Sequence, residues 1–187
     1  WWRPAPEAGF STYTCDTAWG EVHPCVTAAA CLAISDEELG ARRAELREFL
    51  ARFQAPDGRW PAYWWRTHHY SSYHHLLLLR RLGWLGDFPL PPHEPGPGAT
   101  AFELAWAAGI AHLCGRAEAA DSLLEGLLER QLWDGRWPGS PELRVTDPGC
   151  RTPWIDAAGE LYADHRGLLT TASALQVLTR ILRDRGR

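Results

Sequence analysis

The densest concentration of chemically capable side chains runs from Tyr63 to Tyr73, where Trp64, Trp65, His68, His69 and Tyr70 fall between those two tyrosines. Aromatic faces attract positive charge, by up to about 2 kcal/mol or more once water is excluded. With Trp19, Phe102 and Trp106, these rings could wall an apolar ligand cavity, though they equally fit a packing layer between helices. Two carboxylates, Asp16 and Glu103, are expected to be buried. Glu103 stands between Phe102 and Trp106 on a stretch otherwise free of charge. A buried carboxyl keeps its proton and can donate it, while an ion pair with a nearby Arg or a place at a helix end is the competing account. His23 near Glu21, and His165 beside Asp164, could accept a proton or orient a water, or simply be solvated or capping. His68, His69, His74 and His75 lack a zinc-ligand spacing, so no metal site is expected.

Helices must position these groups. Gln54-Ala-Pro-Asp57-Gly58-Arg-Trp60-Pro61 recurs as Gln131-Leu-Trp-Asp134-Gly135-Arg-Trp137-Pro138, a displacement of 77 residues that extends without a gap over 25–61 and 102–138. Each copy reads as an apolar helix, a short break, an amphipathic helix and the QxxDGxW turn. Leu39, Leu46, Phe49, Leu50 and Phe53 fall at helical spacing between Asp36 and Phe53, and Ser35 with Glu38 fits a capping box. Val26–Ile34 and Ala101–Leu113 are apolar on most faces and so belong to a buried layer, as do Ser71–Leu82 and Leu168–Leu182. Pro89–Gly98 and Thr146–Pro153 read as loops, and no strand is expected. The fold class is all-α: one domain over 1–187, with inner and outer helices stacked about a common axis.

Composition narrows the function. Lys plus Arg number 19 against 23 Asp plus Glu, a net charge of −4 without a basic block, which excludes a nucleic-acid binder. The longest aliphatic run, Leu76–Leu79, is far shorter than a membrane span, so attachment to a membrane could only be peripheral. Five Cys without CxxC spacing suggest free thiols in a reducing cytoplasm. No signal peptide is visible in Trp1–Gly9, and the lack of Met leads to the expectation that the original beginning lies upstream of Trp1.

QxxxGxW after a helix carrying Phe49-Leu50 is similar to the QW motif of squalene and terpene cyclases, in which its part is structural. Phe10-Ser-Thr-Tyr13 followed by Glu21-Val-His23-Pro24 resembles the segment after the acidic motif of bacterial class II diterpene cyclases. The stretch Asp57–Tyr73 resembles their DGxW….KW..SPYY region, and Gly167–Leu175 the inner helix that closes their barrels. The resemblance therefore implies the α/α toroid of terpene cyclases and protein prenyltransferases, nearest the β domain of class II cyclases. The prenyltransferase branch is set aside because its Asp-x-Cys zinc ligands are missing.

One departure matters for activity. Class II cyclases protonate an alkene with the middle Asp of DxDD, whereas Cys15-Asp16-Thr17-Ala18 keeps only the end of DxDDTA, with Cys at the acid's position. The expectation is a bacterial, cytoplasmic, cyclase-like domain acting in isoprenoid biosynthesis on a linear polyprenyl substrate, an isomerase whose acid comes from a missing N-terminal segment. The alternative is a toroid that has lost its acid and binds a hydrophobic ligand or another protein. Of the site residues, Asp16, Glu103 and His23 are the catalytic candidates. The substrate-binding candidates are Trp19, Trp64, Trp65, His68, His69, Tyr70, Tyr73, Phe102 and Trp106. No cofactor is expected, though a diphosphate substrate would bring Mg with it. A homo-oligomer or a partner domain would complete the toroid.

Overall fold

The computed structural model describes residues 2–3, 8–155 and 157–186; Pro4 and Pro6, within the stretch searched for a signal peptide, fall outside them. The chain begins with a short antiparallel ladder of β1 (Trp2–Arg3) and β2 (Gly9–Phe10). Seven helices follow among the described residues: α1 (Pro24–Ala33), α2 (Asp36–Gly40), α3 (Arg43–Phe53), α4 (His69–Leu82), α5 (Ala101–Leu113), α6 (Ala117–Leu128) and α7 (Leu168–Arg185). Between α6 and α7 an antiparallel hairpin pairs β3 (Pro141–Val145) with β4 (Glu160–Ala163). The fold is all-α with these two small ladders added.

Local chemistry sets the helix boundaries. Pro24 starts α1, where its missing N–H costs nothing. Ser35 and Glu38 form the capping box of α2, and Thr100 and Glu103 form a second one at α5. The stretch expected as one amphipathic helix breaks at Ala41–Arg42, where Gly40 weakens helix propensity and the Arg42 guanidinium donates to the Glu38 carbonyl at 2.7 Å. α7 is capped from upstream: the Asp164 carboxylate accepts from the amides of Leu168 at 3.1 Å and Thr170 at 2.8 Å.

α1 packs on α4, α4 on α5, and α5 on both α6 and α7. Leu46, Phe49 and Leu50 of α3 join Cys31, Trp60, Leu78 and Leu79 in one buried cluster. Tyr73, Leu76, Phe102, Trp106, Ile110 and Val177 fill the space between α4, α5 and α7. At the α4–α5 crossing a Cβ on Gly109 would meet the Tyr73 ring at 2.5 Å, so only glycine permits that approach.

The two QxxDGxW turns make the same bonds. The Gln54 and Gln131 amides donate to the carbonyls of Gly58 and Gly135 at 2.9 and 2.8 Å. The Trp60 and Trp137 indoles donate to the carbonyls of Leu50 and Leu127 at 3.0 and 2.7 Å. Both glycines need positive φ, 88° and 84°. Each Trp amide donates to a hydroxyl on the next helix, Ser72 of α4 or Thr171 of α7, at 3.2 and 3.0 Å.

The hairpin was not foreseen. Pro-Glu-Leu-Arg-Val of β3 alternates, but with polar residues inward: Glu142 and Arg144 are buried, and Leu143 is exposed. That alternation is the reverse of an ordinary half-buried strand, so it offers no hydrophobic face to read. β4 is exposed over most of its length and carries equally little signal.

Candidate functional site

A cavity of about 500 Å³ opens between the N-terminal segment, α1, the Trp64–Trp65 segment and β3. α1 presents Cys25, Val26, Ala29 and Ala30 to it, small side chains that leave the space free. Aromatic rings fill the opposite wall. Tyr13, Trp19 and Trp64 form a triangle with ring centroids 5.8–5.9 Å apart, and Trp65 packs on Tyr70 at 4.5 Å and on Phe102 at 5.4 Å. Hydrogen bonds fix two of the indoles, Trp64 donating to Thr12 Oγ1 at 2.9 Å and Trp19 to Thr146 Oγ1 at 3.3 Å. Leu143 and Val145 complete the lining.

Of the residues singled out from the sequence, Trp19, Trp64, Trp65 and Tyr70 meet at this cavity. Tyr73, Phe102 and Trp106 form instead the fully buried layer behind it, with Trp106 5.3 Å from Tyr70 and 5.0 Å from Tyr73. His68 holds a turn, its Nδ1 accepting from the Ala62 amide at 3.1 Å; burial, helped by Arg59 and Arg144, pushes its pKa down to about 4. His69 Nδ1 lies 2.6 Å from Thr67 Oγ1, and burial lowers its pKa too. His23 stacks on Tyr63 at 3.9 Å, and burial outweighs its bonds to the Ala18 and Trp19 backbone, giving a pKa of about 4. These three imidazoles are neutral at pH 7 and do not line the cavity.

The two carboxylates expected to be buried are placed elsewhere. Asp16 is exposed in a bend, because the chain there is open coil with no helix to bury it. Glu103 serves the α5 capping box, accepting from the Thr100 amide at 3.0 Å, and pairs with Arg66 at 2.9 Å; the helix-end and ion-pair accounts of it both hold. The deeply buried carboxylate is Glu142. It accepts from Thr100 Oγ1 at 2.6 Å and Ser140 Oγ at 2.8 Å, and burial raises its pKa. Thr12, Tyr13, Leu143 and Val145 were also missed as lining residues, the last two because their strand was not recognised. The Cys25 thiol, driven up in pKa by burial, is one of the lining groups. Among the described residues no carboxylate lines the cavity, and no group of three or more His, Cys, Asp or Glu is placed to hold a metal.

Solved structures share this architecture. The type II terpene cyclase MstE from Scytonema matches in its apo form with a TM-score of 0.74 at 24% identity, over 94% of this chain and 62% of that one. The fold is that of a type II terpene cyclase. An MstE variant in complex with geranylgeranyl dihydroxybenzoate (substrate) matches at TM-score 0.70 and 25% identity, over 88% of this chain and 55% of that one. Another, in complex with merosterolic acid A (product), matches at 0.71 and 26%, over 87% and 54%. The chain thus spans under two thirds of the length of the cyclases it matches. No protein-family model and no curated protein matches the sequence. No described helix is long and apolar enough to cross a membrane.

Proposed function

We propose that the chain carries the isoprenoid-binding wall of a class II terpene cyclase. The observation behind this reading is the ring set Tyr13, Trp19, Trp64, Trp65 and Tyr70 around one apolar cavity of about 500 Å³. Cyclisation started by protonating an alkene moves a positive charge along the folded prenyl chain. Ring faces held rigidly in a dry site stabilise that charge, each by about 0.5–2 kcal/mol, without reacting with it. Small side chains on α1 leave room for the chain, and fixed indoles lower the entropy of binding. The reaction draws on no cofactor, and Mg enters only with a diphosphate-bearing substrate.

The starting proton needs a carboxylic acid. A thiol with an ordinary pKa of about 8.5, raised further by burial as at Cys25, is too weak. Within this reading the acid comes from outside the described wall. The lack of a carboxylate among the described residues of that wall also favours a second reading, a hydrophobic-ligand binder without catalysis.

Equilibrium dialysis with geranylgeraniol tests the shared part. Binding should be lost or weakened about tenfold in Trp19→Leu, with the fold retained by circular dichroism. Unmeasurable binding to the native chain, or an unaffected variant, would refute both readings. Extending the chain to include an upstream DxDD separates the two: cyclic product supports the cyclase, and binding without turnover supports the binder.

A further inference from the structure

The bonds from Trp60 to Ser72 and from Trp137 to Thr171 are equivalent, yet they span 12 residues in the first copy and 34 in the second. The 22 additional residues accommodate the β3–β4 hairpin, so the hairpin is an insertion that follows the second copy of the repeat, between its turn and the next helix. Its polarity is inverted. Glu142 and Arg144 point into the body, where Glu142 is held by Thr100, Ser140 and Arg66, and Arg144 donates to the Arg66 carbonyl at 3.3 Å. Leu143, 38% exposed, and Val145 point the other way, into the aromatic cavity. A strand that buries its charges and displays its apolar side chains needs an apolar use for the displayed face.

Backbone pairing makes this face part of the aromatic wall. The Arg66 amide donates to the Glu142 carbonyl at 2.9 Å and the Arg144 amide to the Trp64 carbonyl at 2.8 Å, which sets Leu143 opposite Trp65. The loop after β3 reaches the other side, where Thr146 accepts from Trp19, its Oγ1 lies 3.0 Å from the Tyr63 hydroxyl, and the Pro148 carbonyl accepts from the Ala18 amide at 2.8 Å. The insertion is therefore clamped at both ends of the ring set, with two aliphatic side chains between.

We infer that Leu143 and Val145 are specificity-determining residues, which set the length of prenyl chain the cavity accepts. This rests on the isoprenoid reading above. Aliphatic side chains meet a prenyl chain by shape alone, so removing or adding methylene-sized volume changes which chain fits, and such discrimination is worth about tenfold or more.

The experiment is equilibrium dialysis of the full 187-residue chain against farnesol, geranylgeraniol and geranylfarnesol. The double variant Leu143→Ala, Val145→Ala should shift the dissociation-constant ratio by about tenfold toward the longer alcohol, and Leu143→Phe should shift it toward the shorter one. Leu161→Ala on exposed β4, outside the cavity lining, should leave the ratio unchanged and serves as the control. Leu143 is exposed enough for its variants to keep the fold, which circular dichroism verifies. If the alcohols bind but the ratios stay within about twofold in both directions, the specificity role is overturned while the isoprenoid reading survives. If none of the alcohols binds the native chain, the isoprenoid reading fails and the inference falls with it.

Discussion

Acidification from pH 7 to pH 5 should destabilise the protein steeply, and His75 should account for a large share of the loss. His75 is fully buried, lies parallel to the Trp60 ring at 4.6 Å, and donates through Nδ1 to the Ser71 carbonyl at 2.7 Å. Nε2 has no partner, and the neighbouring His74 adds a further disfavouring charge. Burial lowers the His75 pKa from 6.5 to about 3, and that of His23 from 6.5 to about 4. Both folded values lie below the unfolded one, so the unfolded chain binds more protons. The stability is present above pH 6.5 and is lost as pH falls toward the folded values. Between pH 7 and pH 5 each group loses about 2 kcal/mol, and His68, held at about 4, loses as much, together about 6 kcal/mol, a large part of the 5–15 kcal/mol typical of a domain. Glu142 acts with the opposite sign, since burial raises its pKa and its native form holds a proton to higher pH. The discriminating measurement is therefore the difference between the native chain and His75→Phe, which keeps a ring against Trp60 and removes the titration. Urea unfolding followed by tryptophan fluorescence should show a pH dependence shallower by about 2 kcal/mol over that interval in the variant. Parallel pH profiles in the two proteins would refute the reasoning.

Trp60→Phe and Trp137→Phe should each cost about 1–3 kcal/mol in urea unfolding, because each removes one buried indole hydrogen bond and leaves the volume of the lost ring unfilled, while the Leu50 and Leu127 carbonyls keep the amides of Gln54 and Arg130; one being silent would break the equivalence of the two turns. Thr100→Ala should destabilise by about 2–3 kcal/mol against about 1 kcal/mol for Ser35→Ala, since Thr100 also satisfies buried Glu142 while the Ser35 box is exposed; equal losses would remove the Glu142 contribution. The 187-residue chain should yield no bicyclic product from geranylgeranyl diphosphate, as read by gas chromatography with mass detection. Efficient cyclisation would show that an acid acts from a place other than the cavity wall.

Much of the helical framework could be read from the sequence because the signals that set it are local. Ser35 and Glu38 stand three residues apart, Leu46, Phe49 and Leu50 fall on one face, and the alanine-rich runs of α1 and α5 leave no polar side to expose. The expected limits of Ala101–Leu113 are those of α5. Gly40 carried the one helix break that was missed, since a single glycine weakens a helix without deciding where it ends.

The site was harder to read for a physical reason. Trp64, Trp65 and Tyr70 advertise themselves by type and density, but whether a ring walls a cavity or fills a core depends on what packs against it, and that is a tertiary fact. Phe102 and Trp106 have the same composition and helical spacing as a cavity wall, yet α4 and α7 close over them. Leu143 and Val145 show the converse. On composition they belong to a polar, proline-led strand with nothing to bury, and only the pairing of β3 with residues 64–66 turns them toward the rings. Glu103 misled by position, since its apolar neighbours belong to α5 while its carboxylate belongs to the helix end. A charge in an apolar helix should therefore be tested first as a cap, by looking three residues upstream for the Thr or Ser that Thr100 supplies here.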